Sequence, residues 1–138
     1  MRHPELAIDY VRRAGVRLEA LDVYFRAESW ADVVRESQEL VELALKGLLR
    51  ASGVQPPRIH DVSDVLLAER DRLPAALGGA VEELMEISRQ LRRDRELAFY
   101  GAEDLTPSGF YSRADAERAL RDARRTVELV RPHVLEGA

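Results

Sequence analysis

Apolar residues recur along this chain at steps of three and four and never alternate with period two, the spacing of one buried stripe on each of a series of helices. After Pro4, a residue suited to a first helical turn, Ala7, Val11, Ala14, Leu18, Leu21 and Phe25 predict a first helix. Ser29 is placed to cap a second, whose stripe runs through Val33, Ser37, Leu40, Val41, Ala44, Leu45 and Leu48 until Gly53 stops it. Consecutive prolines make GVQPPRIH a loop, and Asp61 then caps a short third helix through Val65 and Leu66. Pro74 opens a fourth along Leu77, Val81, Leu84, Ser88, Leu91, Arg95 and Ala98, with Gly78 and Gly79 weakening its first turns. Residues 101–111, GAEDLTPSGFY, form the longest loop. Ser112, with Asp115 three positions on, starts a fifth helix in the manner of a capping box; it runs along Ala116, Leu120, Ala123, Val127, Val130 and Val134, and Pro132 kinks or ends it. The pattern predicts an all-α fold, an antiparallel up-down four-helix bundle with an additional short helix.

Composition sharpens this picture. At 138 residues the chain is expected to form a single domain, 1–138, around one core. Its net charge of -4 weighs against non-specific nucleic-acid binding, which needs a surplus of cations to displace counterions, while leaving room for a local basic patch. The absence of cysteine excludes disulfides, thiolate nucleophiles and zinc-thiolate sites. His3, His60 and His133 are far apart and make no metal-ligand spacing, so neither metal nor cofactor is expected. The start, MRHPELAIDYVRR, lacks the apolar core of a signal peptide, and no run approaches the length of a membrane span. A cytoplasmic protein with no membrane partner is the expectation.

One polar spot stands out. Ser88 and Arg95 interrupt the fourth stripe, and a guanidinium cannot shed its charge to suit a dry core. Arg95 either reaches solvent or pairs with a second-helix carboxylate such as Glu42, or it lines an anion-binding cleft with Arg89, Arg92 and Arg93 as neighbours. Four of the eight aromatics, Phe99, Tyr100, Phe110 and Tyr111, fall at the two ends of the long loop. They pin that loop to the bundle or, beside guanidinium groups, stack bases while the cations hold phosphates. Glu42 precedes Lys46 by four residues, the favourable order for an ion pair on one helix, although Lys46 in a dimer cleft would meet a phosphate. His60, next to the capping Asp61, fixes its loop or joins the chemistry.

Two stretches carry a resemblance. The segment WADVVRESQELVELALKGLLRASGVQPPRIHDVSDVL (30–66), with Glu42, Lys46 and the pair His60 and Asp61, is similar to the second and third helices of the HEPN domains. RRDRELAFYGAEDLTPSGFYSRADAERALRDA (92–123) resembles their fourth and fifth helices, including the tyrosine-glycine pair and the loop proline. The resemblance implies a cytoplasmic homodimer, often paired with a minimal nucleotidyltransferase. Such proteins act as ribonuclease toxins or as nucleotide- or substrate-binding partners.

In active HEPN members an arginine, followed four to six residues later by histidine, lies near the dimer axis and cleaves RNA without metal. Arg95 matches the arginine, but Tyr100 stands where the histidine would, and none follows in the loop. Imidazole suits both proton transfers of that reaction near neutral pH, whereas an ordinary phenol is only about 0.1% ionised there. In some paired systems the transferase adenylates a tyrosine two residues beyond the histidine; here that position is Ala102. The expectation is therefore a homodimer that binds nucleotide or RNA phosphate through Arg95 and Arg92, edged by Tyr100 and Tyr111, beside a nucleotidyltransferase partner. The alternatives are a metal-independent ribonuclease toxin using Arg95 with Tyr100 or a folded-in His60, and a non-catalytic interaction module.

Overall fold

The computed structural model describes residues 4–56, 58, 61–100 and 107–136, with backbone alone for 97–100, 107–108 and 136. Among these residues there is no strand. Four long helices carry the fold: α1 (Pro4–Arg26), α2 (Trp30–Ala51), α4 (Ala80–Tyr100) and α6 (Arg113–Arg131). Two short ones, α3 (Val62–Ala68) and α5 (Pro107–Phe110), lie between them. None of the described helices is long and apolar enough to cross a membrane.

Most of the predicted stripe positions are buried, while Leu18, Phe25, Val65 and Leu120 are half-buried, Arg95 is exposed and the side chain of Ala98 lies outside the described residues. Leu40, Ala44, Leu45 and Leu48 of α2 are fully buried, as are Ala14 and Leu21 of α1, Leu84 of α4, and Ala116, Ala123 and Val130 of α6. Helix α2 lies at the centre, packed against α1, α4 and α6. Cross-helix pairs fix the senses of neighbours. Gly47 meets Ala7 and Val11 while Glu39 faces Arg17, so α1 and α2 run oppositely. Arg95 meets Gln38 and Arg92 meets Glu42, so α2 and α4 do too. Arg125 with Glu83 and Arg118 with Asp94 give the same opposition for α4 and α6.

Local chemistry sets the helix ends. Helix α1 closes with Ser29 N–H donating to the Tyr24 carbonyl and Glu28 N–H to that of Phe25, a left-handed C-terminal turn in which Glu28 takes φ 58°. Helix α2 ends in the same way, with Val54 N–H donating to the Leu49 carbonyl and Gly53 N–H to that of Arg50. Ser29 occupies the predicted N-cap of α2, but its hydroxyl binds the Asp32 carboxylate rather than a backbone amide. Asp61 caps α3 by accepting from the Ser63 backbone N–H at 2.9 Å. Both halves of the capping box form at Ser112 and Asp115. Pro132 ends α6, and residues 132–136 continue as a wider π turn. At the opposite end of α6, the Arg113 guanidinium lies over Phe25 and Trp30, 5.4 and 5.7 Å from the ring centroids.

Two expectations need correction. Pro74 does not open the fourth helix: it precedes a single 3-10 turn, Ala75–Leu77, and α4 starts at Ala80. The cause is Gly78, whose φ of 51° and ψ of -128° no helix allows and few side chains tolerate. Leu77 nonetheless reaches the core. In the stretch read as one long loop, residues 107–110 form the short helix α5, and 101–106 lie outside the described residues.

Candidate anion-binding site

Antiparallel packing of α4 on α2 sets three arginines in a slanting row. Arg89, Arg92 and Arg95 are three residues apart on α4, so they share one flank. Each meets a different acceptor on α2 or α3. Arg89 donates to Ser63 Oγ at 3.2 Å and lies 3.5 Å from Asp64. Arg92 donates to Glu42 Oε1 at 2.8 Å and faces Asp61 Oδ2 at 3.8 Å. Arg95 donates through Nη1 to the amide oxygen of Gln38, and its Nη2 lies 3.6 Å from Glu39 Oε1.

These surroundings give the three guanidinium groups different chemistry. Arg92 stands between two carboxylates and ties α2, the α3 cap and α4 together, so an incoming anion would meet Glu42 and Asp61 as well. Arg95 has one carboxylate, beyond hydrogen-bonding distance, and one neutral amide, and 45% of its side chain is exposed. Arg89 is placed alike, with one neutral hydroxyl and one carboxylate at 3.5 Å and 40% of its side chain exposed. Arg89 and Arg95 therefore keep more positive charge to offer than Arg92, and Arg95 is the more exposed of the two. Ser88, the other polar position of the stripe, is buried at 2% exposure, whereas Arg95 turns outward where the stripe leaves the core.

The pairing expected of Glu42 is corrected. Its hydrogen bond goes to Arg92 across the helix interface, and among the described residues Lys46 makes no ion pair. A neighbouring helix brings a planar guanidinium to Glu42 in direct contact, and its fixed fork loses less freedom per bond than a flexible ammonium. Lys46 lies one turn beyond Glu42 and about 10 Å of helix rise from Glu39, so it stands apart from Arg95.

Tyr111 is not on an exposed loop. It is 8% exposed, its hydroxyl donates to the Asp94 carbonyl at 2.8 Å, and Phe110 packs edge-on against its ring. Burial pushes this hydroxyl up to about 12, with Asp94 and Asp115 reinforcing the rise and Arg95 opposing it. Tyr111 is thus near Arg95 electrostatically, but it stays a neutral donor at physiological pH. Burial also raises the carboxyl of Asp122 on α6 from its ordinary value, against the pull of Arg121 and Arg118. The side chain of Tyr100 and all of His60 lie outside the described residues. His133 follows α6 beyond Arg125, which pairs with Glu83 near the start of α4, so it sits at the end of the fold away from Arg95.

Gln38, Glu39 and Arg17 were missed by the stripe pattern, which carries no information on contacts between helices. The available signal was the run RESQE (35–39), five polar residues in succession that bring Ser37 and Gln38 onto core-facing positions of α2. Gln38 is only 5% exposed, and a buried amide needs a partner; Arg95 is that partner. Among the described residues no group of three or more metal-ligating side chains converges.

Comparison with known proteins agrees with the helical architecture. The family model described as HEPN domain matches residues 7–133. A curated protein of Methanocaldococcus jannaschii named "Putative toxin MJ1304" is 26% identical over 133 residues, covering 92% of this chain and 87% of the relative. No solved structure matches the chain significantly.

Proposed function

Because the chain belongs to the HEPN family, we propose that it works as a cytoplasmic homodimer, an up-down four-helix bundle that binds the phosphate of a nucleotide or RNA at Arg95. In this reading it acts beside a minimal nucleotidyltransferase in a toxin-antitoxin-like module. The observation that carries the proposal is the uneven neutralisation along α4: Arg92 is held by two carboxylates, whereas Arg95, like Arg89, has one neutral partner and one carboxylate at 3.5 Å or beyond, and Arg95 is the more exposed of the two. Guanidinium is the side chain best matched to phosphate oxygens. The opposed senses of α1 with α2, α2 with α4 and α4 with α6 support the bundle topology.

The test is titration of the protein and its Arg95→Ala variant with ATP and with a fluorescent uridine oligonucleotide. Loss of a phosphate-facing guanidinium is expected to weaken binding of the preferred probe about tenfold or more, the effect of one charged hydrogen-bonding partner. Equal affinities in a folded variant would reject the reading and leave an interaction module in which Arg95 only joins helices.

A second reading, the metal-independent ribonuclease toxin, is favoured by the name of the archaeal relative. Among the described residues no imidazole lies near Arg95: Tyr111 holds its proton far above neutral pH, and His133 lies at the other end of the fold. RNA incubated with the protein in chelator decides it. Cleavage above an Arg95→Ala control is required.

A further inference from the structure

Glu39 has an arrangement that neither the stripe pattern nor the family match explains. Its two oxygens face two cations from different helices: Oε2 lies 3.8 Å from Arg17 Nη1 on α1, and Oε1 lies 3.6 Å from Arg95 Nη2 on α4. Neither distance is a hydrogen bond. All three side chains are open to solvent, at 38% for Arg17, 35% for Glu39 and 45% for Arg95. The carboxylate therefore bridges two guanidinium groups loosely, in a space that water and small anions reach.

A carboxylate and a phosphate present the same feature to such a pair: an edge of two partly negative oxygens that planar guanidinium groups grip from either side. A terminal phosphate carries more charge and a third oxygen, and a phosphodiester chain offers the same two-oxygen edge at every link. Either can engage both arginines while Glu39 swings into water on its own flexible stem. We propose that Arg17 is the second cation of the Arg95 site and that Glu39 is its internal anion, occupying the place from which an incoming phosphate displaces it. The proposal rests on the reading of Arg95 as a phosphate-binding residue and adds both a further ligand-contacting group and a built-in competitor. Gln38 differs from Glu39 in this respect: buried and neutral, it keeps its hold on Arg95 Nη1 whether or not the anion is present, and so aims the guanidinium.

The two arginines and the glutamate make opposite contributions, which gives the test its signs. Arg17→Ala is expected to weaken binding of ATP or of the uridine oligonucleotide about two- to fivefold, and Glu39→Gln to strengthen it by a similar factor, the range of one exposed charge pair at a surface site. Comparing the two probes tells whether the phosphate is that of a free nucleotide or of a chain. Arg17 and Glu39 are half-exposed and make no hydrogen bond to each other, so circular dichroism melts should show both variants folded. Wild-type affinity in Arg17→Ala, or no gain in Glu39→Gln, overturns the proposal. If Arg95→Ala loses binding while the other two variants match wild type, this inference falls alone. If Arg95→Ala also binds as wild type, or the wild type binds neither probe, the reading of the site falls with it.

Discussion

Tyr111 spends its one proton on the carbonyl of Asp94, the residue before Arg95, and so anchors the segment after α4 to the turn that presents the guanidinium. Tyr111→Phe removes that bond while keeping the ring, and is expected to cost about 1 kcal/mol of stability, the usual net worth of a hydrogen bond. The hydroxyl titrates at about 12 in the folded chain against an ordinary 10.0. A raised value means the contribution is complete below pH 10 and disappears as pH rises through about 12. Urea melts of the two proteins should therefore differ at pH 8 and converge as the solution becomes strongly alkaline; a constant gap would show that the loss is packing alone. Arg95 was legible at this scale because a charge on an apolar stripe is conspicuous. Its partners were not, since Gln38 and Glu39 lie more than fifty positions earlier and only the packing of α4 on α2 brings them within reach.

Helices α1 and α2 come close at Gly47, where a Cβ would stand 2.7 Å from Val11 Cγ2, 3.2 Å from the Ala7 carbonyl and 3.3 Å from Tyr10 Cβ. Alanine favours an isolated helix by about 1 kcal/mol over glycine, yet here the buried Val11 and the α1 backbone have nowhere to move. Gly47→Ala is expected to destabilise by about 1–3 kcal/mol through overpacking, read as a lower urea midpoint with an unchanged slope. Val11→Ala in the same chain should recover part of the loss. Most stripe positions, and the caps at Asp61 and Ser112, were legible, since each depends on residues within one turn. The start of α4 was misread because a proline that suits a helix also suits a 3-10 turn, and the left-handed geometry of Gly78 decides between them. The four residues of α5, PSGF, carry no periodicity at all.

Taken whole, the molecule is acidic, with 25 Asp and Glu against 21 Lys and Arg, so any polyanion must be held by a local cluster against a repulsive background. If Arg17 and Arg95 are the cations engaged, about two counterions leave a bound single strand, and the logarithm of affinity should fall against the logarithm of salt with a slope of about -1.4. A much steeper slope would mean a wider basic surface than these two residues. The all-helical class could be read from spacing alone, whereas how the helices close on one another could not. That closure has one convenient marker. Trp30 is the single tryptophan of the chain, and the cation at the start of α6 rests on its indole beside Phe25 from the end of α1. Its fluorescence is consequently a native reporter of whether the last helix has seated on the first two, free of any label.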